Sequence, residues 1–87
     1  MQGVTKKMQL FAYIASKPNR MATYPELVEV FVRKRGWSTK LLNAYLSELA
    51  RHKHLLKRSW LKAREGRVRI YRINEDYIKH LTTPKHQ

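Results

Sequence analysis

The chain has 87 residues, 43% hydrophobic and 29% charged, which suits one modest globular core and excludes a disordered chain. Nineteen Lys and Arg stand against six Asp and Glu, a net charge of +13; a chain this short repels itself unless a polyanion is its partner, nucleic acid first and an anionic membrane surface second. No cysteine is present, so there is no disulfide framework and no cysteine-ligated zinc, and no apolar run approaches the ~20 residues of a membrane span.

Residues 1–10 carry lysines but no signal-peptide apolar stretch, so an intracellular protein is expected, cytoplasmic or nucleoid-associated. Thr5 can cap a first helix over residues 6–16. Met8, Phe11, Ala12 and Ala15 recur at spacings of three and four, and Leu10 and Ile14 widen that apolar face. Lys17-Pro18-Asn19-Arg20 then breaks it. Thr23 with Glu26 three residues later reads as a capping box, and Pro25 falls in the first turn, where a missing N–H costs nothing. Leu27, Val28, Val30, Phe31 and Val32 make this second helix heavily apolar. Arg33-Lys34-Arg35 complements its last carbonyls, and Gly36 is its left-handed stop.

Ser38 or Thr39 can cap the third helix, whose Leu42, Tyr45, Leu46 and Leu49 form an apolar stripe. Its other face reads Lys40, Asn43, Ala44, Ser47 and Arg51: short or polar, thin enough for a groove, and short of the Glu–Lys mixture usual on a solvated helix. From residue 55 the period changes. Leu55 to Leu61, a charged turn Lys62-Ala63-Arg64-Glu65-Gly66, and the alternating Arg67-Val68-Arg69-Ile70-Tyr71-Arg72-Ile73 together predict a hairpin. Asn74 caps a last short helix over 75–81, and 82–87 reads as a tail. One domain over 1–87 is expected, with an ordered core at about 5–81.

Helix, helix, helix, hairpin, helix resembles the winged helix-turn-helix family of DNA-binding proteins. The resemblance spans nearly the whole chain and is carried most specifically by Ser38-Thr39-Lys40-Leu41-Leu42-Asn43-Ala44-Tyr45-Leu46-Ser47-Glu48-Leu49, then Leu55 and the basic hairpin. It implies an α+β fold, mainly α, with three helices, a hairpin wing and a short C-terminal helix. It further implies a sequence-specific regulator of transcription on double-stranded DNA. The third helix, about 38–53, would enter the major groove, and the hairpin, about 55–73, would lie on the backbone as the wing. The groove-facing residues carried over are Ser38, Thr39, Lys40, Asn43, Ala44 and Ser47, with Arg51 at the helix end. The wing set is Lys57, Arg58, Lys62, Arg64, Arg67 and Arg69.

Small regulators of this kind often form homodimers through terminal helices, for which Phe11, Tyr13, Tyr77, Ile78 and Leu81 offer apolar surface. A compact, cysteine-free member rich in Lys and Arg suits an archaeal or viral genome, in the latter case acting in the host cytoplasm. Two departures from the family pattern stand out. The link Gly36-Trp37 is short and its Trp bulky, as if plugging the core beneath the turn, and no glycine follows Leu49 to end the third helix.

The residue chemistry agrees with that resemblance. Asn pairs bidentately with adenine, and Lys and Arg with guanine. Between Arg51 and Arg72 nine Lys or Arg accompany one acid, Glu65. Arg69 and Arg72 alternate on one strand, where one stem can instead pack on the helices. Trp60 and Tyr71 can stack on bases, although a small core is the commoner place for such rings. His52, His54, His80 and His86 lack the spacing of a zinc site, and nothing forms a nucleophile–base pair, so neither a metal, a cofactor nor an enzyme is expected. Two other functions fit the residues: an RNA-binding or replication- or packaging-associated module that reads shape, and a protein-interaction winged helix.

Overall fold

A computed structural model describes residues 5–64 and 66–82, with side chains to residue 79. The first helix, α1, is Lys6–Ala15, capped by the Thr5 side chain, which accepts the Met8 N–H. Leu10 and Ile14 are its fully buried residues, whereas Met8 is half exposed and Ala12 lies on the surface. The expected stripe through Met8 and Ala12 is therefore rotated. Both stripes satisfy helical spacing, and the position of the sheet and second helix selects the one through Leu10.

A strand that sequence patterning did not anticipate follows: β1, Met21–Thr23, three residues long. It is too short to show alternation, and it exists only because β3 pairs with it, Ala22 opposite Tyr71. Thr23 ends the strand and also caps α2, accepting the Glu26 N–H. The α2 helix starts as Tyr24–Leu27 and widens into π-helical turns over Val28–Lys34. Gly36 stops it at φ +80°. The Trp37 N–H then reaches back to the Phe31 carbonyl at 2.9 Å, a Schellman-type closure stretched by the wide turn.

The Ser38 side chain, not that of Thr39, caps α3 by accepting the Leu41 N–H. The helix runs Thr39–Ser47 and continues through wide turns over Glu48–His52. Its end repeats that of α2 without a glycine. His54 takes the left-handed conformation, φ +57°, and the Leu55 N–H bonds the Leu49 carbonyl at 2.9 Å. A single polar residue thus fills the position where glycine was missed.

Strands β2, Leu56–Ala63, and β3, Gly66–Ile73, form the hairpin, and the antiparallel sheet has the order β1-β3-β2. The strands run to the Ala63–Gly66 pair, further than the expected five-residue turn allowed. The Asn74 side chain accepts the Tyr77 N–H and opens α4, Glu75–Thr82. Among the described residues the result is an α+β fold of four helices and one three-stranded sheet. The predicted tail beyond Thr82 lies outside the described residues, as does Glu65.

Phe31 is at the centre of the core. Its ring meets Tyr13 of α1 edge-on at 5.4 Å and Trp37 at 4.6 Å, and Trp37 meets Tyr45 of α3 edge-on at 5.8 Å. Trp37 is buried, a plug beneath the turn. Phe11, Tyr13 and Ile78 pack against this core, so three of the five side chains expected to pair two copies are largely occupied within one. The fourth, Tyr77, is half-buried, and the side chain of Leu81 is not described.

Glu26 links α1 to α2 by accepting hydrogen bonds from the Tyr13 hydroxyl at 2.5 Å and from the Lys17 ammonium. Burial alone would raise its carboxyl, but those two bonds, the Lys17 charge and the Thr23 backbone together hold it below the ordinary carboxylate range. The hydrogen bond to Glu26, aided by burial, raises the Tyr13 hydroxyl.

Two tests follow from this architecture. Because the folded carboxyl of Glu26 is held below its ordinary value, its contribution is present above that ordinary value and disappears as pH falls through the folded one. Thermal melts of wild type and Glu26→Gln should differ by about 2–5 °C near neutral pH and converge in acid. Gly36→Ala adds a Cβ that meets nothing within 4 Å, so the left-handed backbone alone should cost about 1 kcal/mol. His54→Gly should be neutral or stabilising, by up to about 1 kcal/mol, when both variants are unfolded in denaturant.

Candidate nucleic-acid interface

Alternation along the hairpin divides its side chains between two faces. Leu56, Arg58, Trp60 and Lys62 share one face with Ile73, Tyr71, Arg69 and Arg67, their cross-strand partners in that order. The base of this face is core, since Leu56, Tyr71 and Ile73 are buried. Beyond Tyr71 the same face becomes cationic, with Arg69, Arg67 and Lys62 on it. Lys57 falls on the other face, opposite Arg72, though the residue also borders the cleft described next.

That cleft separates α3 from the hairpin. Asn43, Ser47 and Arg51 line it from the helix, and Arg58 and Arg69 from the strands. These five belong to two separate groups along the sequence, and the fold brings them to one surface. Leu46, Ala50 and Leu56 also line the cleft, as do His54 and Asn74, which belong to neither predicted set. Asn74 fixes the corner: its side-chain amide donates to the His54 carbonyl at 3.0 Å, while its N–H bonds the Leu55 carbonyl at 2.9 Å. The signal in sequence was only that Asn can cap a helix, because the partner is twenty positions away.

The remaining predicted residues distribute differently. Ser38, Thr39 and Lys40 are exposed on the first turn of α3 and are not among the cleft-lining residues. The Ser38 hydroxyl already accepts the capping bond. Ala44 is exposed and borders a separate hollow with Ser47, Glu48, His52 and Lys53. Lys62, Arg64 and Arg67 surround a further hollow at the hairpin tip.

Arg69 is half-buried. Its guanidinium lies 5.2 Å from the Tyr24 ring centre and 5.4 Å from that of Trp60, and donates to the Tyr71 hydroxyl at 3.4 Å. Its Nε is buried without a hydrogen-bond partner. So Arg69 is the strand arginine whose stem packs inward, and Arg72 is the exposed one. Trp60 departs from expectation in the opposite sense: it is 49% exposed instead of in the core, because its register lies beyond the last buried cross-strand pair, whereas Tyr71 is buried.

Four of the acids are held in ion pairs. Glu48, the one acid of α3, accepts from Lys7 of α1 at 2.5 Å, and that hydrogen bond, against some burial, holds its carboxyl below the ordinary range. Glu26, Glu29 and Glu75 are paired with Lys17, Arg33 and Arg20. Among the described residues, none of the nine Lys and Arg between 51 and 72 pairs with a carboxylate. Such a surface offers hydrogen-bond donors and uncompensated positive charge to a polyanion. Among the described residues no three His, Asp or Glu converge as metal ligands, and no helix is long and apolar enough to cross a membrane.

The two tryptophans make this geometry measurable. A soluble quencher such as acrylamide should quench Trp60 fluorescence in a Trp37→Phe variant at least about threefold more efficiently than Trp37 fluorescence in Trp60→Phe, following the exposures of 49% and 7%. Equal quenching would mean that the hairpin folds over the indole. Comparison with known proteins finds no matching family model, curated protein or solved structure.

Proposed function

We propose that this protein is a sequence-specific double-stranded DNA-binding regulator of the winged helix-turn-helix type. In this reading the exposed face of α3 enters the major groove and the hairpin lies as a wing on the flanking backbone. The observation that carries it is the common surface made by Asn43, Ser47 and Arg51 of α3 with Arg58 and Arg69 of the hairpin. A short-chained polar helix face fits a groove, and a cationic hairpin beside it fits phosphates. The pairing of Glu48 with Lys7 supports the same reading, since it holds the one acid of α3 in a salt bridge to α1.

The work divides between the two elements. Asn43, Ser47 and Lys40 read base edges, while Arg58, Arg64, Arg67 and Lys62 supply affinity and orientation. With about six phosphates neutralised, log K should fall against log salt with a slope of about −5. A two-fold homodimer would read two half-sites about one helical turn apart.

Selection from a random duplex pool at near-physiological salt is the deciding experiment. A short preferred sequence, bound ~10³-fold or more above bulk DNA, is expected, and an inverted repeat in it would mark the dimer. Arg64→Ala with Arg67→Ala should weaken all duplexes alike and flatten the salt slope by about 2. Asn43→Ala should instead change which duplex is preferred, by about 1–3 kcal/mol at one position. Equal binding to every duplex, to A-form RNA and to single strands would overturn the regulator in favour of a module that reads shape.

A further inference from the structure

The exposed indole of Trp60 has no task in the duplex reading. Paired bases hide their faces in the stack, and phosphates call for guanidinium and ammonium groups, not for an aromatic ring. Yet Trp60 stands on the face of the hairpin that adjoins α3, 49% exposed, in a chain whose other tryptophan is in the core. Lys62, Arg64 and Arg67 line a hollow with it at the hairpin tip. The Arg67 guanidinium lies 5.5 Å from the ring centre, and Arg69 lies directly across the strand pair. The one acid of the hairpin, Glu65, is flanked in sequence by Arg64 and Gly66.

We infer that the hairpin tip is a second nucleic-acid site, which takes an unpaired base of a DNA strand stacked on Trp60 with its neighbouring phosphates on Lys62, Arg64 and Arg67. This rests on the nucleic-acid reading above and adds to it a preference for DNA that offers an open base next to a duplex. The chemistry is general: every base has a π-face, so stacking on an aromatic is sequence-tolerant, and adjacent cations track the backbone. Arg69 has a positioning role. Lying between Tyr24 and Trp60, it ties the indole to the start of α2. Arg67 is exposed, and a base that stacks on Trp60 displaces its guanidinium from beside the ring toward the neighbouring phosphate.

The simpler role for Trp60 is a cross-strand pair with Arg69 that stiffens the hairpin. The two roles predict different things. Binding of the full chain is measured by fluorescence anisotropy to a labelled short oligothymidylate, to an abasic strand of the same length and charge, and to a blunt duplex. Wild type should prefer the thymidylate over the abasic strand by about 5- to 100-fold. Trp60→Ala should lose that preference while melting within a few degrees of wild type, and Trp60→Phe should retain most of it. Equal binding of the two strands by wild type, or an unchanged preference in Trp60→Ala, overturns the stacking site. The blunt duplex separates this from the regulator reading. Duplex binding without base dependence leaves the regulator standing and removes the stacking site. Base dependence without duplex binding does the reverse.

Discussion

The geometry of this protein depends on the closure between its second and third helices. Gly36 turns the chain at φ +80°, and Trp37 drops into the core against Phe31. Phe31 also holds Tyr13 of α1, and Trp37 holds Tyr45 of α3. Four rings in series therefore set the relation of three helices. Large rings in edge-on or tilted contact lose both area burial and a preferred geometry if one shifts, so the angle of α3 is strongly specified. What α3 presents to solvent follows from that angle.

A second closure, at His54, carries the constraint into the sheet. The chain leaves α3 through a left-handed residue, Leu55 bonds back to Leu49, and Asn74 bonds both His54 and Leu55. The base of the hairpin is thereby tied to the end of α3. Leu56, Tyr71 and Ile73 then bury the lower part of one hairpin face, which obliges the upper part of that face to stand beside α3. The cationic surface is a consequence of this register. A slip of one residue would turn Arg58 and Arg67 to the opposite side.

Electrostatics reinforces the arrangement without creating it. Salt bridges join Glu26, Glu29, Glu48 and Glu75 to Lys and Arg of α1, α2 and the turn after α1, and the pairs of Glu29 and Glu75 are exposed enough to contribute little stability. Their larger effect is on the field. Pairing with Lys7 ties the one carboxylate of α3 to α1, and among the described residues none of the nine Lys and Arg between 51 and 72 forms an ion pair. The self-repulsion of those cations is the standing cost of such a surface, and a bound polyanion relieves it.

The helices and the places where they begin are legible in the chain's local chemistry. Thr5, Thr23 and Ser38 cap through their own side chains, and Gly36 stops α2, because caps and stops are local events within a few residues. The stripe of Leu42, Leu46 and Leu49, the polar face of Asn43 and Arg51, and the existence of the hairpin were legible for the same reason. Tertiary structure decided the rest. β1 exists only through pairing with β3, the buried stripe of α1 was one of two that its spacing allowed, and His54 could take a glycine's place only because Asn74 and Leu55 hold the corner. Whether Trp60 and Arg69 lie inside or outside depended on what other elements meet there: Arg69 reaches Tyr24 of α2, and Trp60 stays half exposed. Each of these is a contact between residues far apart in the chain. Periodicity tells which side chains share a face, but only packing tells what that face meets.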